Sequence, residues 1–515
     1  VNLASLAEQN LAEYGEYERL VFEGRSFTNR ALRDDAARLA AGLEGLGLRA
    51  DDKVVVMMPN GPEVFVAYEG VWRAGLVVIP VLFLLEAEEL RYILEDSGAK
   101  AVVTSPDVHA KVAHAIEALG GAARRSVRVL VTGPRASVPE GALSFDAIVE
   151  ESAARADIAP RDEGAVATIL YTSGTTGRPK GVMQTHHNLY ANAQNAWKTA
   201  TTRTRGETSV VVLPLAHSFG LGSLVGGYLF GTRGILMRWF NPEGALQLIE
   251  RYRAKAMAGV PTMFVLMLTH PSAGQYDTSS VTRWLVGAAP MPTAQLEAFE
   301  KKFGGTMYVG YGLTESGPGV AVEREGAPRK LGSTGQPLEG VTVKIVDDEG
   351  REVPRGEVGE IVVRGENISP GYYKNPQATA ETFRDGWLFT GDMGYLDADS
   401  YLFVVERKKD LIIRAGLNIY PKDVEEVIHR IDGVKEVAVV GVPDAVMGEE
   451  VCAYVAWKAA PPATPEEVIA HCQAHLAKYK SPKFVEFVPS LPKTGLGKIQ
   501  KKEVRRLATA RFGAG

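Results

Sequence analysis

Leu32, Ala36, Leu39, Leu43 and Leu46 recur at alternating four- and three-residue intervals. That spacing predicts an amphipathic helix over residues 29–47. Short apolar runs then alternate with helical patterns. Residues 53–58, 77–81 and 101–104 read as strands, and residues 62–74 and 86–97 as the helices between them. Such alternation predicts a parallel sheet with helices on its faces. A polar, proline-containing stretch, residues 134–163, precedes the next apolar run at 165–171, which reads as a short buried strand. A helix is expected from about His186 to residue 200, followed by strands at 210–214, 255–259, 284–287 and 306–310. The last three end in small residues: Gly259-Val260-Pro261, Gly287-Ala288-Ala289-Pro290 and Gly310-Tyr311-Gly312. Ligands of open α/β sheets sit beyond the carboxyl ends of the strands, so these loops are candidates for a site.

Beyond Gly332 the texture changes. Strands at 341–346, 359–364, 387–390 and 401–405 predict a small antiparallel sheet or barrel. The pattern breaks at Arg407-Lys408-Lys409-Asp410. After it come a helix over 421–431, strands at 436–442 and 450–457, a helix over 465–477 and a strand at 483–487. A chain of 515 residues exceeds what a single core supports. The expected fold class is α/β, with a large N-terminal domain, 1–408, of doubly wound βα subdomains plus a small β-rich subdomain. A mobile α+β C-terminal domain, 409–515, completes it.

Composition removes several classes of function. A hydrophobic content of 45% and a charged content of 23% belong to a globular chain and not to a disordered one. A net charge of −5 gives no sign of a nucleic-acid-binding surface. Two cysteines, Cys452 and Cys472, are too few for a disulfide framework and lack zinc-ligand spacing. Buried thiols in a reducing cytoplasm are the expectation. The longest apolar candidate for a membrane span, residues 219–230, is short and holds four glycines, so no transmembrane segment is expected. No signal peptide is visible, and a chain that begins at Val1 leaves a removed leader open. Oligomeric state is not readable, and a homodimer stays open.

The richest chemistry lies at residues 169–184, ILYTSGTTGRPKGVMQ. An apolar run empties into Thr172, Ser173, Gly174, Thr175, Thr176 and Gly177, then Arg178-Pro179 and the single cation Lys180. Glycines let successive N–H groups turn toward one point, and such concave rows hold anions while the hydroxyls add donors or metal contacts. The loop therefore reads as a polyphosphate cradle. It is not the Walker pattern, because the fifth position after Gly174 is Pro179 and Lys180 is followed by Gly181. A plain surface linker is the alternative.

Five ordered motifs carry a resemblance: YTSGTTGRPKGV at 171–182, GYGLTE at 310–315, TGD at 390–392, ERKKDLIIRAGLNIYP at 406–421 and PKTGLGK at 492–498. Together they resemble the acyl-adenylate-forming superfamily, which contains acyl-CoA synthetases, adenylation domains of peptide synthetases and beetle luciferases. The resemblance spans nearly the whole chain and lies nearest the free-standing acyl-CoA ligases. It implies a two-step reaction, in which a carboxylate displaces pyrophosphate from ATP and the thiol of coenzyme A then displaces AMP. ATP, Mg²⁺ and coenzyme A are the implied cofactors.

Residue by residue, the resemblance implies that the loop at Thr172–Lys180 holds the β- and γ-phosphates. Thr314 and Glu315 match catalytic positions, and Glu315 with Thr175 would hold the metal. One carboxylate plus phosphate oxygens is an ordinary magnesium arrangement. Tyr311, between Gly310 and Gly312, matches the residue that stacks on adenine, and Gly287, Ala288, Ala289 and Pro290 would line the base. Asp392 and Arg407 match ribose ligands, although Glu406 stands where many relatives carry a glycine. Lys409 matches the hinge, and Gly416 the position where the pantetheine thiol passes. His217 matches a position beside the acyl carboxylate. Lys498 matches the adenylation lysine, acting where charge concentrates in the transition state. The other cations of its run, Lys493, Lys501, Lys502, Arg505 and Arg506, read as a solvated helix face.

The wall over residues 220–231 is apolar, with no arginine or lysine to pair with a second carboxylate and no aspartate after His217 to receive an amine. Dicarboxylic and amino acids are disfavoured, and a fatty acid of medium or long chain is the expected substrate. An aromatic acid of the benzoate or cinnamate type is the alternative. A carrier protein in place of coenzyme A is another, against which stands the end of the chain soon after the lysine motif.

Overall fold

The computed structural model describes residues 2–155, 157–172, 179–199, 206–415, 417–493 and 499–513, without the side chains of 122, 123 and 125. It is a mixed α/β protein built on four sheets. The first has seven strands, ordered Leu143–Ser144, Arg128–Val131, Ala101–Thr104, Lys53–Met57, Val77–Pro80, Val166–Thr172 and Lys180–Thr185. All pair in parallel except the last, which runs back against Val166–Thr172 with Thr172 opposite Lys180. The predicted strand before the glycine loop is therefore present, and an unpredicted one follows it, so the loop joins the arms of a hairpin. KGVMQT lacks the apolar alternation that marks a strand, and its pairing comes from Val166–Thr172 instead.

The second sheet has nine strands, parallel from Thr306–Tyr311 through Arg283–Val286, Ala256–Gly259, Thr208–Val211 and Arg233–Leu236 to Glu18–Phe22. The third is the predicted antiparallel sheet, Val341–Val346, Gly359–Gly365, Trp387–Leu396, Phe383–Arg384 and Leu402–Arg407. The fourth lies in the C-terminal part and contains Val434–Asp444, Gly448–Trp457, Phe484–Phe487 and a hairpin, Ile412–Arg414 with Leu417–Ile419, that the residue pattern did not predict. Cys452 and Cys472 are buried and unpaired, and burial pushes both thiols up to about 12.

One departure from the doubly wound plan positions the site. Parallel sheets are normally covered on both faces. On one face of the nine-stranded sheet Met257, Trp284, Val286 and Met307 are fully buried, and Trp284 packs edge-on to Phe264 and Phe299. On the other face Ser209, Val211, Ala256, Ala258, Arg283, Leu285 and Tyr308 are only half-buried and line a cavity.

Across that cavity runs the helix Ser218–Phe230. Leu221, Leu224, Val225 and Tyr228 bury one side of it. Phe219, Gly222, Ser223, Gly226 and Phe230, at three- and four-residue spacing, face the cavity. The buried side is anchored by the start of the chain. Asn10 Nδ2 donates to the Tyr228 carbonyl at 2.6 Å, Tyr14 Oη to the Leu229 carbonyl at 2.9 Å, and Tyr228 Oη to Glu69 at 2.9 Å. Arg19, 4% exposed, lies 5.1 Å from the Tyr228 ring and donates to the Thr232 carbonyl at 2.6 Å. A Cβ on Gly227 would fall 2.3 Å from the Arg19 guanidinium. Gly227→Ala is expected to destabilise the fold by about 1–3 kcal/mol through overpacking, read as a lower urea midpoint. An unchanged midpoint would mean that Arg19 yields and does not fix the helix.

Candidate active site

The polar end of the cavity is built where the second and third sheets meet. Asp392 and Arg407 are directly opposed on neighbouring antiparallel strands, Trp387–Leu396 and Leu402–Arg407. Arg407 Nε lies 2.7 Å from Asp392 Oδ1, and Tyr311 Oη donates to Asp392 Oδ2 at 2.6 Å. Asp392 is 4% exposed. Its amide donates to Thr390 Oγ1 at 3.1 Å, and that hydroxyl donates to the Ile361 carbonyl at 2.7 Å. Burial, then the Asp392 charge, push the Tyr311 hydroxyl well above the ordinary tyrosine value, so it stays a donor at neutral pH. A satisfied hydroxyl and a ring on the cavity wall coexist at Tyr311.

Strand Thr306–Tyr311 runs into a tight crossing of backbone. A Cβ at Gly312 would lie 1.7 Å from the Pro318 carbonyl oxygen, so only glycine fits there. The crossing feeds the 3₁₀ turn Thr314–Ser316, held by Asn367 Nδ2 on the Ser316 carbonyl at 2.7 Å and by the Ser369 amide on the Glu315 carbonyl at 2.9 Å. Glu315 Oε1 accepts from Tyr372 Oη at 2.8 Å, and no described residue donates to its other oxygen. Burial, then Glu315, raise the Tyr372 hydroxyl above its ordinary value. Lys180 Nζ sits 5.0 Å from the centre of the Tyr372 ring. That alignment comes from pairing of the hairpin arm with the 371–373 segment, the Tyr373 amide donating to the Gly181 carbonyl at 2.7 Å and the Met183 amide to the Gly371 carbonyl at 3.0 Å.

His217 caps the channel helix, its Nδ1 accepting from the Phe219 amide at 3.3 Å. Thr314 Oγ1 lies 3.4 Å from Ser218 Oγ. A Cβ on Gly287 would stand 3.3 Å from the Gly310 carbonyl oxygen and 3.4 Å from the Phe219 ring, so a side chain there would close the passage between them. Ala288 adopts a left-handed φ of 67°.

Thr172, Lys180, His217, Gly287, Ala288, Ala289, Pro290, Gly310, Tyr311, Gly312, Thr314, Glu315, Asp392, Arg407 and Lys409 all line one cavity of about 2370 Å³. Ser173, Gly174, Thr175, Thr176, Gly177, Gly416 and Lys498 lie outside the described residues. Lys493 and Ile499, which flank 494–498, line the cavity, whereas Ala415 and Leu417, which flank 416, do not. Among the described residues no group of three or more histidines, cysteines, aspartates or glutamates could hold a metal by itself. The single half-engaged carboxylate of Glu315 suits a magnesium ion whose other ligands are phosphate oxygens and water.

Two expectations need correction. The wall does contain cations, because the fold brings Arg19, Arg233 and Arg283 to the cavity from distant strands. Arg233 pairs with Glu18, Arg283 with Glu207, and Arg19 donates to the Thr232 carbonyl, so each is engaged within the protein. The basic run near the end of the chain is not uniformly a solvated face either, since Lys501 is held between Glu406 and Glu425. Tyr372 was missed altogether. Nothing in the sequence ties Gly371-Tyr372-Tyr373 to Glu315, 57 residues away.

A family model described as "AMP-binding enzyme" matches residues 7–373, and one described as "AMP-binding enzyme C-terminal domain" matches residues 423–498. A feruloyl-CoA synthase of Amycolatopsis sp is 40% identical over 492 residues, covering 95% of this chain and 95% of that protein. A long-chain-fatty-acid–CoA ligase of Bacillus subtilis (strain 168) is 34% identical over 525 residues, covering 98% and 94%. Among solved structures, the anthranilate CoA ligase AuaEII in complex with anthranoyl-AMP has a TM-score of 0.92 at 28% identity, covering 99% of this chain and 98% of that one.

The Asp392 carboxylate, braced by Tyr311 and Arg407, is a buried acceptor on the cavity wall. Asp392→Asn is expected to weaken AMP binding by about ten- to a hundredfold, since a buried charge-assisted contact is lost. Isothermal titration calorimetry reads this directly, and an unchanged affinity would place the ribose elsewhere.

Proposed function

The chain belongs to the AMP-binding enzyme family, and from that membership we propose that it is an AMP-forming acyl-CoA ligase acting on an extended acyl chain. The observation that carries the reading is one continuous cavity. At one end stand Asp392, Arg407 and Tyr311; at the other is a channel between the half-covered sheet and the Phe219–Gly222–Ser223–Gly226–Phe230 side of a helix. The two ends meet at Gly287, Gly310 and His217.

In the first half-reaction a carboxylate oxygen of the acid bonds to the α-phosphorus of ATP, the bond to the bridging oxygen breaks, and pyrophosphate leaves. Both reactants are anions, so the protein supplies charge and alignment and no nucleophile of its own. We assign the β- and γ-phosphates to the loop at 172–180, with Lys180 as a clamp. Asp392 and Arg407 hold the ribose, and Gly287–Pro290 with Tyr311 flank the base. Magnesium, when bound, offsets phosphate charge, and Glu315 with Thr175 would hold it. The Tyr372 hydrogen bond orients the Glu315 carboxylate. Lys498 stabilises the charge shared by the carboxylate and α-phosphate. In the second half-reaction the sulfur of coenzyme A bonds to the acyl carbon, AMP departs with the electron pair and the thiol proton is released to solvent. We assign this step to a rotated C-terminal domain, 409–515, turning about Lys409 and bringing Gly416 to the channel.

Two features support a long acyl chain. From Gly287 back to Arg283 the channel follows four strand residues, roughly 13 Å at about 3.3 Å each. Its walls are Val211, Leu285, Gly222 and Gly226, and a Cβ on Gly226 would meet nothing within 4 Å. An aromatic acid is the second reading, supported by the likeness to a feruloyl-CoA synthase and by the aromatic wall of Phe219, Tyr308 and the stacked Trp197–Phe230 pair, 3.7 Å apart. Among the described residues no helix is long and apolar enough to cross a membrane. We propose a cytoplasmic location and take a homodimer as the assembly to test by light scattering.

With ATP, magnesium and a panel of acids from six to eighteen carbons, the protein is expected to release pyrophosphate, and with coenzyme A to yield AMP and a thioester. Gly226→Leu is expected to cut kcat/KM for the longest acids by about a hundredfold or more while sparing the shortest, because the new side chain enters the channel. Adenylate without thioester would favour a carrier protein as acceptor. Equal loss across the panel would remove Gly226 from the channel.

A further inference from the structure

Lys501 opens the helix Lys501–Phe512, yet its side chain is only 21% exposed. Its Nζ lies 2.8 Å from Glu406 Oε2 and 3.0 Å from Glu425 Oε1. Burial works against the ammonium, and Glu425 and Glu406 outweigh it, holding the lysine above its ordinary value. The two carboxylates come from opposite sides of the Lys408–Asp410 turn. Glu406 is the penultimate residue of the strand Leu402–Arg407, and Glu425 lies in the helix Pro421–His429. The ion triad thus crosses the position assigned as the hinge.

Each arm leads to machinery. Glu406 Oε1 accepts from the amide of Arg407 at 3.0 Å, and Arg407 is the partner of Asp392. On the other arm, the described residues on either side of 494–498 are tied together. Lys493 and Ile499 form an antiparallel bridge, and the Gln500 amide donates to the Pro492 carbonyl at 2.9 Å. Gln500 Nε2 donates to the Lys493 carbonyl at 2.8 Å, and Lys493 Nζ is held by Glu436.

We infer that Lys501 is a positioning residue for adenylation, a latch to Glu406 that holds the C-terminal part where the base of the 494–498 segment lines the cavity. The inference rests on the ligase reading and on the role assigned to Lys498. Rotation about Lys409 carries Glu425 along with Lys501 and leaves Glu406 behind. The ammonium therefore keeps one carboxylate when the latch opens, which limits the cost of breaking a buried pair. Such a contact biases a two-state equilibrium without taking part in the chemistry.

The test uses the full chain with Glu406→Gln, which removes only the crossing contact, and Lys501→Met as a second variant. Acid-dependent ATP–pyrophosphate exchange reads the first half-reaction, and thioester formation from a pre-made acyl-adenylate reads the second. Glu406→Gln is expected to lower exchange by about tenfold and leave thioester formation within about twofold. Lys501→Met in that background should add little, and Lys501→Arg should keep near-normal exchange. Damage confined to Arg407 would lower both half-reactions, because both bind the ribose, and that result overturns the latch. Tryptic cleavage at Arg407, Lys408 and Lys409 gives a readout without substrate and should quicken several-fold in Glu406→Gln. An unchanged cleavage rate overturns the latch even if no acid supports exchange, and absent exchange in the unaltered protein counts against the ligase reading instead.

Discussion

A parallel sheet left open on one face is unstable in water unless something covers it. In this protein the nine-stranded sheet buries Met257, Trp284, Val286 and Met307 on one side and presents Ser209, Ala256, Ala258 and Leu285 half-bare on the other. The helix Ser218–Phe230 spans the gap without filling it, because Gly222 and Gly226 stand where larger side chains would close the space. The channel is therefore the unfilled layer of an otherwise ordinary doubly wound architecture. Its placement follows from the same constraint. The open layer ends at Gly287 and Gly310, where the third sheet delivers Asp392 and Arg407.

Close approach of backbone makes that junction possible. Gly312 has room for no Cβ, and Gly287 faces Gly310 and the Phe219 ring across a passage that a side chain would obstruct. Around it the polar groups are held by partners and not by their own rotamers. Asp392 is braced from both oxygens and Glu315 from one. Preorganisation of this kind is what a reaction between two anions requires. The C-terminal part adds the element that we propose moves. Its attachment through Lys501 to Glu406 joins the Lys493–Ile499 bridge to the arginine that grips Asp392.

Much of this was legible in the residues. The alternation over 53–104 and 255–310 foretold the parallel sheets, and the glycine-ended strands at 284–287 and 306–310 run out onto the cavity. Short-range patterns were silent on contacts made over long separations. Lys180–Thr185 is a strand only because Val166–Thr172 pairs with it. Tyr372 reaches Glu315 only through the pairing of residues 181–183 with 371–373. Arg19, Arg233 and Arg283 converge on the channel from three separate strands, and reading residues 220–231 alone missed them. Lys501 looked like one of five solvated cations because its two carboxylates lie 95 and 76 positions earlier in the chain.

In the proposed reaction one cavity serves two half-reactions with different demands on charge. This is tested most directly by Lys498→Ala, assayed separately for acid-dependent ATP–pyrophosphate exchange and for thioester formation from a pre-made acyl-adenylate. Exchange is expected to fall by about a hundredfold or more, as when a group that stabilises transition-state charge is removed, while thioester formation stays near its original rate. Equal loss in both assays, or exchange that survives the substitution, would contradict it.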